Sequence, residues 1–441
     1  MASQEVDLMV VGGIALTADQ DWNIYDPGAV AMDEGAIVGV GPRHEVERAY
    51  RGREGIDASG KLIMPGLLNA HTHAPMTLFR GIADDVPLEA WLHKYIWPAE
   101  AKWVGPEFVR LGTQLAAAEM IRSGTVLFCD MYFFQDEVAQ VCKEVGLRVV
   151  IGEGLVDFPN PDYRTPEEGL QRNECLLQKW GDDSLVIPSI QPHSLYTASS
   201  DLLRQSKALA DEYDVPYLLH VSETRSEVQE SMEKYRRTPV GRLADLGLLG
   251  PSTVAIHGVH LTDEDIVLLA QHEAGVVHCP ESQLKLASGF TPVPQLLEAG
   301  VKVGLGTDGA ASNNDLDMFG EMGTADRVHK VIAGDPTVVD ARQALSMATL
   351  EAARVLGLGD RLGSLEVGKQ GDILVLDLDV PHMVPVYDIT SHLVYAAHAS
   401  DVCTVIIDGC VVMRDRELLT LDEGEIFARA REMARQIGEM R

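Results

Sequence analysis

The chain has 441 residues and sets 36 Lys and Arg against 67 Asp and Glu, a formal charge of −31. That acidity argues against partners that reward basic patches, nucleic acid and anionic membranes alike. Hydrophobic residues at 46% and charged residues at 23% describe a globular chain, long enough for one barrel of about 250 residues beside a smaller domain.

In chain order, residues 6–40 hold VDLMVVGGIALTA and GAVAMDEGAIVGVG, short β-rich runs broken by Gly and Asp. GDILVLDLD and CTVIIDGCVVM, within residues 371–412, have the same character. The two ends are therefore expected to build one small β-sandwich domain from residues 1–60 and 370–441. Residues 61–369 alternate apolar runs with helical patterns such as PEFVRLGTQLAAAEMIRSG. The runs are LIMPGLLNAHTH, TVLFCDMY, RVVIGEGLVD, VIPSIQPHS, PYLLHVSE, TVAIHGVH, GVVHCPES and KVGLGTD. Eight continuous apolar strands separated by helices predict an α/β protein with a parallel (β/α)8 TIM barrel. The long insertion 74–105 contains Trp91, Trp97 and Trp103, and is expected to form a lid or pocket wall.

No run approaches the ~18 apolar residues of a spanning helix, and the N-terminus lacks a basic stretch before an apolar one. The six cysteines are scattered without a CxxC pair and are expected to be buried and reduced, as in a cytoplasmic protein.

Polar groups gather where these strands end: His71 and His73, Asp130, Glu153, His193, His220 and Glu223, His257, and Asp308. Barrel active sites are assembled at those tips. In His71-Thr72-His73 the two imidazoles share one side of a strand, because side chains repeat every two residues. Two converging imidazoles suit Zn²⁺ or Fe²⁺, and His220 with Asp308 can complete a site that leaves a position open for water. Glu223, three residues past His220, is placed to shuttle protons beside the metal without ligating it. His257 is placed to orient the metal's water.

The segments PGLLNAHTHAPMTLFRGIADDVPLEAWL, PHSLYT, HVSET, CPESQLKL and GLGTDGAASNNDLDMFGEM resemble the amidohydrolase superfamily. The likeness is to its methylthioadenosine/S-adenosylhomocysteine deaminase branch and extends over essentially the whole chain. It implies one divalent metal per chain, Zn²⁺ before Fe²⁺ or Mn²⁺, on His71, His73, His220 and Asp308. It also implies that Glu100 holds ribose hydroxyls, that His193 contacts the substrate, and that Glu223 meets the purine edge.

The chain departs from that branch where Glu153 replaces an expected Arg before GLVD, with only Arg164 as an approximate counterpart of a second arginine. Glu153 facing a substrate carboxylate would repel it, which points to a neutral tail, as in methylthioadenosine, adenosine or 5′-deoxyadenosine. Gln283 also stands where the family has Asn.

The reaction expected is hydrolytic deamination of a free nucleoside: Asp308 takes the water proton, His257 steadies the nucleophile and Glu223 protonates the ring. An aminohydrolase or chlorohydrolase of another ring (s-triazine, pterin or guanine) is the alternative on the same scaffold. A two-metal cyclic-amide hydrolase needs a bridging Lys, and VIPSIQPHSLYT has none. The H-x-E with P-C-x-x-C pattern of cytidine-type deaminases is missing as well. A non-catalytic descendant of the barrel would have lost a ligand or the acid, and every one is present. Loops near the mouth leave room for a homo-oligomer contact.

Overall fold

The protein, seen in a computed structural model that describes residues 3–438, is a (β/α)8 barrel with a split β domain. The barrel strands are β1 (Leu67–Thr72), β2 (Thr125–Tyr132), β3 (Arg148–Leu155) and β4 (Val186–Pro188, resumed at Gln191–Pro192). They continue as β5 (Tyr217–Val221), β6 (Thr253–His257), β7 (Gly275–His278) and β8 (Val303–Leu305). Neighbours pair in parallel around the ring, with isolated bridges at Ile190–Tyr217 and Ser194–His220 joining β4 to β5. The Asp308 N–H donates to the His71 carbonyl at 3.0 Å beside β8 and β1, closing the circle at the two tips that matter most. Gly306 permits that approach, since a Cβ there would come within 2.7 Å of the His71 nitrogen.

The apolar runs become strands because both sheet faces are covered: every residue of β2 and β3 is buried. Helices between them start on capping side chains. The Ser199 hydroxyl accepts from Leu202 N–H, Thr224 from Glu227, and Thr262 forms a capping box with Asp265.

Three expectations need correction. LIMPGLLNAHTH is not one strand but two, broken at Gly66. Lys61–Pro65 pairs antiparallel with Ile373–Asp377 in the terminal domain, and Leu67–Thr72 enters the barrel. The switch is fixed where Gly66 N–H donates to Asp372 and Leu67 N–H to Gly124. Second, Pro280 opens a helix at Pro280–Lys285, so β7 stops at His278 and CPES is not a strand tip. Third, four cysteines are buried but Cys175 and Cys410 are exposed, because they lie on outward faces of a helix and an outer strand.

The terminal domain has a four-stranded sheet from residues 4–57 and a seven-stranded sheet mixing both chain ends. Its C-terminal part is not all sheet, for Glu423–Gly438 is a helix packed on the barrel helix Pro106–Arg122. A fully buried Arg148 on β3 ties the two units together through Asp372, at 2.9 and 3.0 Å. Among the described residues, no helix is long and apolar enough to cross a membrane.

Candidate active site

At the C-terminal mouth, β1 contributes His71, and His73 follows just past its end, both turned toward Asp308. His71 Nε2 lies 3.5 Å and His73 Nε2 3.2 Å from Asp308 Oδ1. His220 Nε2, from β5, faces His71 Nε2 at 3.3 Å. Those two nitrogens point at each other in a buried space, an arrangement that suits a cation shared between them. His257 ends β6 with its ring stacked on His220 at 5.3 Å.

Three of the ligand candidates are held from behind, while the buried His71 Nδ1 has no hydrogen-bond partner among the described residues. His73 Nδ1 donates to the Met131 carbonyl and His220 Nδ1 to the His193 carbonyl. These bonds leave the Nε2 atoms free to ligate. The second Asp308 oxygen accepts from Ser282 and Ser312 at 2.6 and 2.8 Å. Asn69 on β1 locks the register, donating to Thr307 Oγ1 at 2.7 Å and accepting from Thr307 N–H at 3.0 Å.

Burial pushes the His71 ring down to about 4 and the His257 ring to about 3, so both are neutral ligand-type imidazoles at ordinary pH. Burial opposes charge on His73 too, but the Asp308 carboxylate outweighs it and raises that ring to about 9. The donor set fits a divalent metal: neutral imidazoles at His71 and His220, with the His73 ring and the ionised Asp308 carboxylate beside them.

A cavity of about 550 Å³ opens beyond these groups. Its far wall is the insertion, from which Trp91 and Trp97 reach in; Trp103 does not. Glu100 enters from the same segment, and burial raises its carboxyl to about 7, with the nearby Tyr132 hydroxyl acting against that rise. His193 faces the cavity too, its Nδ1 bonded to the Thr197 hydroxyl at 3.0 Å.

Glu223 lies 3.9 Å from His257 Nε2. Burial, then Asp308 and Glu227, raise its carboxyl to about 8. At neutral pH it therefore carries a proton, as a general acid must.

Glu153 departs from expectation. It does not line the cavity, although its neighbour Gly154 does. Both its oxygens accept backbone N–H groups, from Phe134 and Gln135, each at 3.1 Å. Phe134 is in the left-handed region (φ 55°), and the turn it makes delivers those amides to Glu153. The repulsion expected against a substrate carboxylate therefore has no basis. Arg164 does line the cavity. Gln283 is buried and donates to Thr291, which in turn donates to the His257 carbonyl at 2.6 Å.

Residues not singled out from the sequence are Asn69, Tyr132, Ser282, Thr307 and Ser312. Asn69 and Tyr132 lie on barrel strands, Thr307 and Ser312 follow β8, and Ser282 is on the helix after β7, so their convergence is visible only once the barrel register is known.

A barrel that gathers ring nitrogens and an ionised carboxylate at one mouth is a hydrolase of the divalent-metal type. The Amidohydrolase family pattern matches residues 62–412, and the chain belongs to that family, as a hydrolytic deaminase. A 5-methylthioadenosine/S-adenosylhomocysteine deaminase of Syntrophobacter fumaroxidans is 49% identical over 99% of this chain and 100% of its own. An adenosine deaminase from Xanthomonas campestris, crystallised with bound zinc, is 42% identical with a TM-score of 0.98. That alignment covers 99% of this chain and 100% of that one. The zinc complex of an atrazine chlorohydrolase from Arthrobacter aurescens shares the fold at a TM-score of 0.89 and 24% identity, over 97% of this chain and 100% of the other.

Proposed function

We propose that the protein hydrolyses the 6-amino group of a free adenine nucleoside, releasing ammonia and the inosine analogue. The observation that carries this reading is a pair of buried carboxyls lining one cavity, Glu223 beside the metal-type donors and Glu100 on the tryptophan-bearing insertion. The names of the 49% and 42% identical relatives support it.

His71, His73, His220 and Asp308 would hold Zn²⁺, with Fe²⁺ or Mn²⁺ suited to the same donors. When bound, the ion lowers the pKa of a water toward neutrality. Asp308 accepts that water's proton, while Ser282 and Ser312 keep the carboxylate from turning. His257 Nε2 orients the nucleophile toward purine C6. Glu223 gives its proton to the adjacent ring nitrogen, Asp308 returns a proton to the departing amino group, and Glu223 regains its proton from the C6 hydroxyl as the carbonyl forms.

Glu100 accepts the ribose hydroxyls and His193 contacts the nucleoside. Trp91, Trp97 and Phe158 cover the cavity and exclude water. Their apolar faces suit a 5′-methylthio group, and Arg164 at the wall suits a charged amino-acid tail. With Glu153 turned away, S-adenosylhomocysteine rejoins adenosine, methylthioadenosine and 5′-deoxyadenosine as a substrate. The enzyme would act on free nucleosides in the cytoplasm.

Ammonia release by zinc-loaded enzyme tests this, across adenosine, methylthioadenosine, S-adenosylhomocysteine, guanine and melamine-type rings. The nucleosides are expected to turn over fastest, and chelation to stop all of them. Preference for guanine or a triazine would overturn the proposal.

A further inference from the structure

The tip of β5 poses a problem of direction. Along a strand, alternate side chains face opposite sides, so if His220 points into the mouth, Ser222 should follow it and Glu223 should point away. Yet Glu223 faces the cavity near His257. The turn responsible is at Ser222, whose φ is +55°, a left-handed conformation that costs a non-glycine residue about 1 kcal/mol or more. Something must hold it there.

Two sets of bonds do so. From β6 and the turn after it, Gly258 N–H donates to the Val221 carbonyl at 3.0 Å and His260 N–H to the Ser222 carbonyl at 2.9 Å. On the other side lies Glu227, in the first turn of helix Arg225–Tyr235 and 7% exposed. Its Oε1 accepts from Ser222 N–H and its Oε2 from Glu223 N–H, each at 2.8 Å. A glutamate at this helical position ordinarily reaches back to the capping residue itself. Here the cap, Thr224, accepts the Glu227 N–H on its hydroxyl, and the carboxylate also reaches further back to two successive amides. Such a pair of converging N–H groups next to a left-handed residue forms a concave anion seat, occupied by the chain's own carboxylate.

We propose that Glu227 is the positioning residue for the proton donor: by clamping the Ser222 and Glu223 amides it keeps the strand end turned so that the Glu223 carboxyl enters the cavity. The inference rests on the reading of Glu223 as that donor. Without the clamp two buried N–H groups lose their acceptor, and Ser222 is free to relax to the extended form that carries Glu223 away. The titratable groups around the Glu223 carboxyl are Asp308, the neutral His257, His73 and Glu227 itself.

The test compares Glu227→Gln, Glu227→Asp and Glu223→Gln as zinc-loaded enzymes on methylthioadenosine. Glu227→Gln turns one acceptor into an N–H donor facing another N–H. Its kcat is expected to fall about 10²-fold, as misplacement of a reacting group does, with KM and bound zinc near wild type. The alkaline limb of its pH profile should move to lower pH, because the charge that favours the protonated Glu223 is gone. Glu227→Asp keeps the charge but draws the carboxylate back, so kcat should fall while the limb stays in place. A Glu227→Gln enzyme with wild-type kcat and limb, beside an inactive Glu223→Gln, overturns the clamp alone. Full turnover by Glu223→Gln overturns the donor assignment instead. Loss of zinc in step with activity in both Glu227 variants would make the residue structural and also overturn the clamp.

Discussion

The tips of β3 and β5 carry the same ingredients and do different things. Each has a buried glutamate near a non-glycine residue in the left-handed conformation, Phe134 opposite Glu153 and Ser222 before Glu223, both with φ 55°. Each turn presents two successive backbone N–H groups to a carboxylate. At β3 the strand's own Glu153 takes those amides and is spent on them. At β5 Glu227 takes them, and among the described residues no hydrogen bond reaches the carboxylate oxygens of Glu223. Burial raises both carboxyls, with Asp162 adding to the rise at Glu153, but only the Glu223 carboxyl lines the cavity.

The largest effect that would break this comparison is at Glu223. Glu223→Gln removes the proton donor, and turnover is expected to fall by about 10²–10⁴-fold. Bound zinc should remain near wild type, since the side chain is not among the metal-type donors. Steady-state kinetics with metal analysis checks both. The pH profile follows from the same group. Its carboxyl titrates at about 8, above the usual carboxylate range, so the donor form is present at lower pH and is lost as pH rises through that value. The alkaline limb of kcat/KM should lie there, and a profile flat through pH 9 would remove Glu223 from the role.

Much of this was legible in the chain. His71 and His73 declare themselves by period-two spacing at the end of an apolar run, and His220, His257 and Asp308 end runs of the same kind. The barrel was legible because parallel strands covered on both faces read as continuous apolar stretches. What was hidden depends on local turns. Glu153 at a strand tip looks like a pocket residue until the Phe134 turn is seen to bring its amides back. Glu227 looks like an ordinary helix-start glutamate, since nothing in HVSETRSE says which amides it will reach. The split of LIMPGLLNAHTH at Gly66 was hidden as well, because a strand can change sheets without any change in its hydrophobicity.

A smaller effect sharpens the contrast from the lid side. Glu100→Gln weakens a charge-assisted contact worth about 1.5–3 kcal/mol, so kcat/KM for a nucleoside should drop by about tenfold to a hundredfold. Adenine, which lacks the ribose, should lose far less. Equal losses on nucleoside and base would move Glu100 from ribose recognition to the chemistry itself.

The smallest kinetic effect is expected at Glu153, and it decides whether the β3 acid is structural. Glu153→Gln puts an amide N–H against the Phe134 or Gln135 N–H and leaves a buried donor unpaired, costing about 1–3 kcal/mol of stability. The Phe134–Gln135 turn also carries the Gln135 side chain, which donates to Asp130 at 2.6 Å, and Asp130 in turn accepts from Ala74 N–H just after His73. The strain is therefore passed toward the metal-type donors by bonds that can lengthen, not by a side chain in the cavity. The denaturation midpoint should fall clearly while kcat on methylthioadenosine stays within about threefold, a factor worth under 1 kcal/mol. A variant as stable as wild type but unable to turn over methylthioadenosine would give Glu153 a place in the chemistry, and the two strand tips would no longer differ in kind.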